Sequence, residues 1–268
     1  MTNVSVLNAP KADALQRPRY SLVVSSDAEH RIAAQRLRFD VFASEPGFAI
    51  PANASGLDED RFDEYCDHLL VRDELTDQFV GCYRMLPPDK ALEAGGYYTA
   101  TEFDLTELDP EGNRTVEMGR ACVRTEHRNG SVLTLMWAGI LHYLQLTGYE
   151  AVMGCVSVPM QEEPTDVFGA HVRGVRDEML SRYATQERVY PFNPVPGIED
   201  IATPAKVKVP PLLRGYLRIG ARVCGEPAYD PDFGVADFVA LLHLKKANVR
   251  YLERLQAAAA NLESGASA

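Results

Sequence analysis

The chain is short of positive charge. Its 268 residues carry 27 Lys and Arg against 38 Asp and Glu, a formal net charge of −11. Generic nucleic-acid binding needs a basic footprint, so that class is excluded. Nor does any window approach the ~20 apolar residues that a membrane-spanning helix requires. The first residues lack a basic stretch followed by an apolar core, so no secretory signal is expected there. Five cysteines (Cys66, Cys82, Cys122, Cys155 and Cys224) lie far apart with no C-x-x-C pair. That points to a reducing compartment, with neither a disulfide framework nor a zinc site. Cys82, Cys122 and Cys155 sit in apolar, strand-like runs, where a free cysteine acts as a small buried hydrophobe. The C-D-H triplet Cys66–His68 is the only metal-like grouping, and strand alternation sends its neighbours to opposite faces, so no metal is expected. Internal repeats are missing too. These absences leave a cytoplasmic protein, at most peripheral on the inner face of the plasma membrane.

What is present suits one elaborated domain, since 46% hydrophobic and 24% charged residues are ordinary for a chain able to bury a large core. The charge is uneven. Asp40–Glu117 holds 19 acids and 5 bases, whereas Phe168–Arg222 holds 9 bases and 5 acids. The first stretch suits a cationic substrate and the second an acidic partner, if the fold exposes them; both also read as ordinary solvated surface.

Periodicity predicts a flexible arm over 1–18 and a strand at Tyr20–Ser25. Asp27 is placed to cap a helix with Ile32, Ala33, Leu37 and Val41 along one stripe. Glu45–Gly56 is a loop long enough to cover a site. Strands are expected at Cys66–Arg72 and Phe79–Leu86 around an acidic turn, Asp73–Asp77. After the excursion Pro87–Gly96, Tyr97–Leu105 returns with aromatic and β-branched residues. A strand at Thr115–Val123, a helix at Val132–Leu146 closed by Gly148, and a buried strand at Ala151–Val158 form a central β–α–β crossing. Beyond it come a helix at Thr165–Tyr183, a Pro-rich extended segment at Glu187–Ile198 and a short helix at Leu212–Ile219. A β-like run at Val235–Leu244 and an Ala-rich helix at Val249–Leu262 end the chain. The order indicates a mixed sheet in an α/β or α+β domain.

The densest chemistry lies at T-V-E-M-G-R-A-C-V-R (Thr115–Arg124) and the H-R-N-G-S that follows. A strand entering a helix through a turn rich in Arg and Gly offers free first-turn N–H groups and the positive dipole end to a phosphate. Val123, Arg124, Arg128, Gly130 and Ser131 are therefore the candidate cradle for the phosphate of a carrier, with a plain surface turn as the alternative. Glu117 is a candidate base beside it.

In this order the motifs resemble the Gcn5-related N-acyltransferase superfamily, and within it the bacterial ornithine N-acyltransferases that make lyso-ornithine lipid, relatives of acyl-homoserine-lactone synthases. The carrying motifs are R-L-R-F-D-V-F (36–42), L-D-E-D-R-F-D-E-Y-C-D-H-L-L-V-R-D (57–73), G-C-Y-R-M-L (81–86), Y-Y-T-A-T-E-F-D-L (97–105) and E-M-G-R-A-C-V (117–123). P-P-L-L-R-G-Y-L-R-I-G-A (210–221) and C-G-E-P-A-Y-D-P-D-F (224–233) extend them. The resemblance implies a mostly antiparallel central sheet flanked by helices, a core over 19–185 and a C-terminal αβ extension over 186–268. It also implies that Arg38, Phe42, Phe48, Asp60, Asp63, Arg84, Phe103, Glu117 and Arg120 line or brace the amine side of a cleft. Phe48 stands where the synthases have Trp. The carrier turn R-T-E-H-R-N-G-S has one glycine where acetyl-CoA enzymes have more, which favours acyl carrier protein over acyl-CoA as the donor; no bound cofactor is expected.

Each residue has two readings. Glu117 takes the amine proton, or it pairs with Arg120 to fix the strand, although a spacing of three sends the two to opposite faces unless a bulge intervenes. Asp60 and Asp63 recognise the δ-ammonium of ornithine, or they are capping or solvated acids. Arg84 grips the α-carboxylate bidentately, or it bridges a nearby acid. Arg214, Arg218 and Arg222 share a helix face if that helix reaches Arg222, and meet lipid headgroups or the acidic carrier protein, or they are a simple solvated face. Met118, Leu133, Trp137 and Val156 line an acyl slot, or they are ordinary core. The activity implied is transfer of a 3-hydroxyacyl chain to the α-amine of ornithine, with an O-acylating enzyme acting next. The alternatives are another amine acceptor, a lactone product, or a non-catalytic binder of carrier protein or lipid.

Overall fold

The computed structural model describes residues 20–45, 55–108, 114–161, 163, 165–204 and 206–264, with side chains to 258. The arm over 1–18 and most of the loop over 45–56, Phe48 included, lie outside them. In chain order the elements begin β1 (Tyr20–Ser25), α1 (Ala28–Phe42), β2 (Asp67–Asp73), β3 (Gln78–Leu86), α2 (Pro88–Glu93) and β4 (Phe103–Asp104). The centre is β5 (Thr115–Val123), α3 (Ser131–Thr147), β6 (Ala151–Pro159), α4 (Ala170–Arg182) and β7 (Tyr190–Pro191). The tail is α5 (Pro211–Ile219), β8 (Arg222–Val223), β9 (Ala228–Asp230), β10 (Val235–His243) and α6 (Val249–Ser264).

The main sheet runs β1-β2-β3-β5-β6-β10-β8, with β9 also on β10. Its pairings are antiparallel except β5 with β6, whose parallel register requires a crossover, here α3. Helices cover both faces. On one, Val132, Leu135, Met136 and Ile140 of α3 pack with Leu69, Val71, Val80 and Val116. On the other, Ala34, Leu37 and Val41 of α1 pack with Leu70, Cys82 and Cys122. Strands buried on both sides read as nearly continuous apolar runs, as β2 and β3 do. All five cysteines are free.

Several boundaries move for local reasons. Asp27 occupies the N-cap of α1 without a side-chain cap bond. The helix expected from Thr165 starts at Ala170, after Gly169 takes a left-handed turn at φ 79°. Tyr97–Leu105 folds as a 3-10 turn at Thr99–Thr101 followed by β4, which pairs with β7 in a separate two-stranded sheet. Gly220, at φ 112°, ends α5 at Ile219. Arg222 therefore falls on β8, and the expected three-arginine face is broken after Arg218. Among the described residues no helix is long and apolar enough to cross a membrane.

Two irregularities in β5 position the site. Cys82 faces Cys122 and Arg84 faces Gly119, so Arg120 and Ala121 together oppose Tyr83. That is a β-bulge, and Arg120 takes a left-handed φ of 52° within it. The extra residue reverses the alternation: Val116 and Met118 belong to the α3 side, and beyond the bulge Ala121 and Val123 do. Glu117 and Arg120, three apart, consequently share the other face. The second irregularity is a split. The β5–β6 ladder extends only from Thr115↔Ala151 to Glu117↔Met153. Next along β6, an added Cβ at Gly154 would lie 2.0 Å from the Met118 carbonyl oxygen, so only glycine fits where the strands part.

Candidate active site

The split opens into a cleft of about 150 Å³, walled by Phe42, Tyr98, Glu117, Arg120, Tyr216 and Asp237 among others. Beneath one wall lies a lattice of three arginines and three aspartates. Arg38, 1% exposed, forks onto Asp63, Nη1 to Oδ1 at 3.0 Å and Nη2 to Oδ2 at 2.8 Å, and its Nε donates to Asp58 Oδ2 at 2.7 Å. Arg84 Nη1 donates to both Asp60 oxygens at 2.7 Å and to Asp63 Oδ1 at 3.1 Å. Gln35 Nε2 adds a bond to Asp63 Oδ2 at 3.0 Å. Arg120 is held more loosely, 3.4 Å from Asp60 Oδ2 and 3.6 Å from Asp58 Oδ2, with its guanidinium over the Tyr98 and Phe233 rings.

Burial works to raise the Asp63 carboxyl, but the Arg38 hydrogen bonds and charge, aided by Arg84, hold it well below the usual carboxylate range. Asp60 is likewise depressed, Arg84 outweighing burial. Burial lowers His68 to about 4; its ring Nε2 bonds the Asp63 carbonyl oxygen. The Cys66 thiol donates to the Phe62 carbonyl and Asp67 Oδ2 accepts from the Tyr143 hydroxyl at 2.8 Å, so the three members of the C-D-H triplet have separate partners.

Glu117 is 5% exposed. Its Oε2 accepts from the Tyr98 amide at 2.7 Å; its Oε1 accepts from the Thr99 amide at 2.6 Å and also from the Thr99 hydroxyl. Burial raises its pKa against those bonds and the Arg84 charge. A buried carboxylate that is fixed in place, basic and open to a cleft can accept a proton from a bound amine.

Behind Tyr98 the cleft has a second acidic group. Single carboxylate oxygens of Glu102, Asp230 and Asp237 lie within 4.8 Å of one another. Ser157 Oγ donates to Asp237 Oδ1 at 2.6 Å. Desolvation and mutual repulsion push Glu102 and Asp237 upward.

Of the expected site residues, Phe42, Arg84, Glu117 and Arg120 line the cleft, while Arg38, Asp60 and Asp63 brace it from within the lattice. Asp60 and Asp63 thus meet arginines in the places expected for a substrate ammonium. Phe103 does not reach the cleft: it is buried in the core with Phe62, Tyr97 and Leu108. Val123 pairs with Gly81 on β3. Arg124 Nη2 bonds Asp40 Oδ2 at 3.0 Å and Arg128 Nη2 bonds Glu45 Oε2 at 2.6 Å, so each already holds an acid at the end of α1. Gly130, at φ 90°, opens α3, and the Ser131 amide donates to Asn129 Oδ1 at 3.0 Å. Met118 and Val156 do line the cleft. A smaller cavity of about 30 Å³ continues past Tyr83 and Tyr216, whose hydroxyls bond each other, to Trp137. Leu133 packs at the edge of the main core.

Sequence reasoning missed Tyr98, Glu102, Tyr216, Asp230 and Asp237. Asp237 did carry a signal, a lone charge inside the apolar run V-A-D-F-V-A-L-L (235–242).

Residues 37–138 match the acetyltransferase (GNAT) domain family. The chain is 34% identical to an L-ornithine N(alpha)-acyltransferase of Rhizobium meliloti (strain 1021), over 97% of this chain and 92% of that one. It is 30% identical to the protein of the same name from Rhodobacter capsulatus, over 87% and 93%. Among solved structures it shares its fold with BjaI, a CoA-dependent acyl-homoserine lactone synthase, at 14% identity and TM-score 0.50, covering 94% of this chain and 92% of that one. FeeM, an N-acyl amino acid synthase from uncultured soil microbes, also has TM-score 0.50, at 11% identity over 86% and 93%. On the domain match and these relatives, the chain belongs to the GNAT acyltransferases, in the family of the L-ornithine N(alpha)-acyltransferases.

Proposed function

We propose that this protein transfers a long, 3-hydroxylated acyl chain from acyl carrier protein to the α-amine of ornithine, giving lyso-ornithine lipid. The observation that carries this reading is the bulge of β5, which puts Glu117 and Arg120 on one wall of the cleft where β5 and β6 part. Glu117 takes one proton from the α-ammonium, freeing its lone pair. The nitrogen attacks the thioester carbonyl, the C–N bond forms and the C–S bond breaks. The second amine proton passes to the departing sulfur, and Glu117 returns its own to water. The bulge leaves a residue of β5 outside the ladder, and a backbone N–H there would polarise the carbonyl.

Arg84 commits only Nη1 to its aspartates, and Arg120 makes only long contacts, so both have donors left for the acceptor's α-carboxylate. The acyl chain runs past Tyr83 and Tyr216 toward Trp137. The phosphopantetheine arm approaches the N-terminus of α3, where Arg124 and Arg128 would exchange Asp40 and Glu45 for phosphate. The product has one chain and suits a second, O-acylating enzyme at the inner face of the membrane.

The test is mass spectrometry of purified protein with 3-hydroxyacyl carrier protein and a mixture of amino acids. N-acyl-ornithine should form, with kcat about 10²–10⁴-fold lower in Glu117→Gln, the usual worth of a positioned base. Acylation of a different amino acid would move the acceptor assignment, and full turnover by Glu117→Gln would remove the base.

A further inference from the structure

Resting on that reading, we propose that Glu102, Asp230 and Asp237 form the subsite for the side-chain ammonium of the acceptor, and so select a diamino acid. The three come from separate elements: Glu102 follows the Thr99–Thr101 turn, Asp230 ends β9, and Asp237 sits mid-strand in β10. They meet at the cleft, which Asp230 and Asp237 line together with Glu117. The turn that presents Glu102 also supplies the Tyr98 and Thr99 amides that hold Glu117. One short turn therefore places the base and the second acidic group relative to each other.

Charge balance distinguishes this group from the lattice. Asp58, Asp60 and Asp63 each meet an arginine within 4 Å. Among the described residues no Lys, Arg or His lies within that distance of Glu102, Asp230 or Asp237. Arg120 is felt electrostatically by Glu102 and Asp237, but its ion pairs go to Asp58 and Asp60. Asp237 is 4% exposed within the apolar run Val235–Leu242, and among the described residues its side chain bonds the neutral Ser157 hydroxyl. Glu102 is half-buried and the Tyr98 hydroxyl helps to hold its carboxylate, but its Oε2 is shut off from solvent and accepts no hydrogen bond among the described residues. A buried carboxylate oxygen without a donor is costly, and beside two more carboxylates it is a vacancy for a cation.

Carboxylate oxygens within 4.8 Å of one another can converge on a single cation. The centre of such a triangle lies no more than about 2.8 Å from each oxygen, within reach of N–H···O bonds to ionised partners. Mg²⁺ or Ca²⁺ would use the same oxygens at shorter range, and titration with either metal separates the two cases. An ammonium has three N–H donors and no acceptor, one donor for each carboxylate.

The test compares ornithine with norvaline, which has the same carbon chain and no δ-nitrogen, in wild type, Asp237→Asn and Asp230→Asn. Asn keeps the shape and can still accept from Ser157, or from the Asp232 and Phe233 amides that Asp230 caps. Wild type should favour ornithine by at least about 100-fold in kcat/KM, and each variant should cut that ratio at least tenfold. An unchanged ratio, with both acceptors falling together, would overturn the subsite. Calorimetry with ornithine and no acyl donor separates this inference from the functional reading. Ornithine binding that weakens in Asp237→Asn supports the subsite even if no acyl transfer occurs. Ornithine acylation with variant-independent selectivity refutes the subsite and leaves the reading intact. Melting without ligand checks the fold, and relief of repulsion should leave the variants at least as stable as wild type. Stabilisation by MgCl₂ or CaCl₂ alone, lost in Asp237→Asn with selectivity unchanged, would refute the proposal in favour of a metal site.

Discussion

Replacing Asp63 by Asn tests whether the arginine–aspartate lattice is a structural brace. Asp63 is 2% exposed and accepts from Arg38 twice, from Arg84, from Gln35 and from the Asp60 amide. Asn would turn an NH₂ toward a guanidinium and leave two buried cations sharing one carboxylate fewer. Breaking a buried ion pair by removing one partner costs about 3–5 kcal/mol. At roughly 2–4 °C per kcal/mol for a chain of this size, Tm should fall by about 6–20 °C. The pH dependence has a definite sign. The folded-state pKa is depressed, so the stabilisation is fully present above the unfolded value near 3.9 and is lost as pH falls through the folded one. The gap between wild type and variant in thermal melts should therefore hold across neutral and mildly acid pH and close only in strong acid. Arg38→Lys, which keeps the charge and loses the fork, should fall between the two. A loss under about 1 kcal/mol would show that solvent relaxes the lattice, and would undercut the placement of Arg84 and Arg120 that depends on it.

The raised Glu117 carboxyl makes activity and stability respond oppositely to pH. As base it must be ionised, so kcat/KM should climb through an inflection above the ordinary value near 4.5. The same shift favours the protonated fold, so its contribution to stability is lost as pH rises through that inflection; Glu117→Gln should flatten both curves. Gly154→Ala would drive a Cβ to within 2.0 Å of the Met118 carbonyl oxygen. It should destabilise by about 3 kcal/mol, read by chemical denaturation; a neutral result would mean that β5 and β6 can part further without cost.

Much of the frame was legible because it is local. Thr115–Val123, the helix closed by Gly148 and the buried run from Ala151 depend on neighbours a few residues away, and the structure has them as β5, α3 and β6. Arg120 shows where local reading stops. Alternation puts it opposite Glu117; only pairing with β3, which packs two residues against Tyr83, brings both to one face.

The sequence by itself determined the main strands and helices, the crossover and, through motif order, the family, because periodicity and turn residues act over short spans. Tertiary structure alone decided the partners of the charges. Nothing local assigns Asp60 and Asp63 to Arg38 and Arg84 while leaving Glu102, Asp230 and Asp237 without a cation. That choice depends on which side chains the sheet order β5-β6-β10 brings within 4–5 Å. At that range electrostatic energy is large only where burial has removed the water.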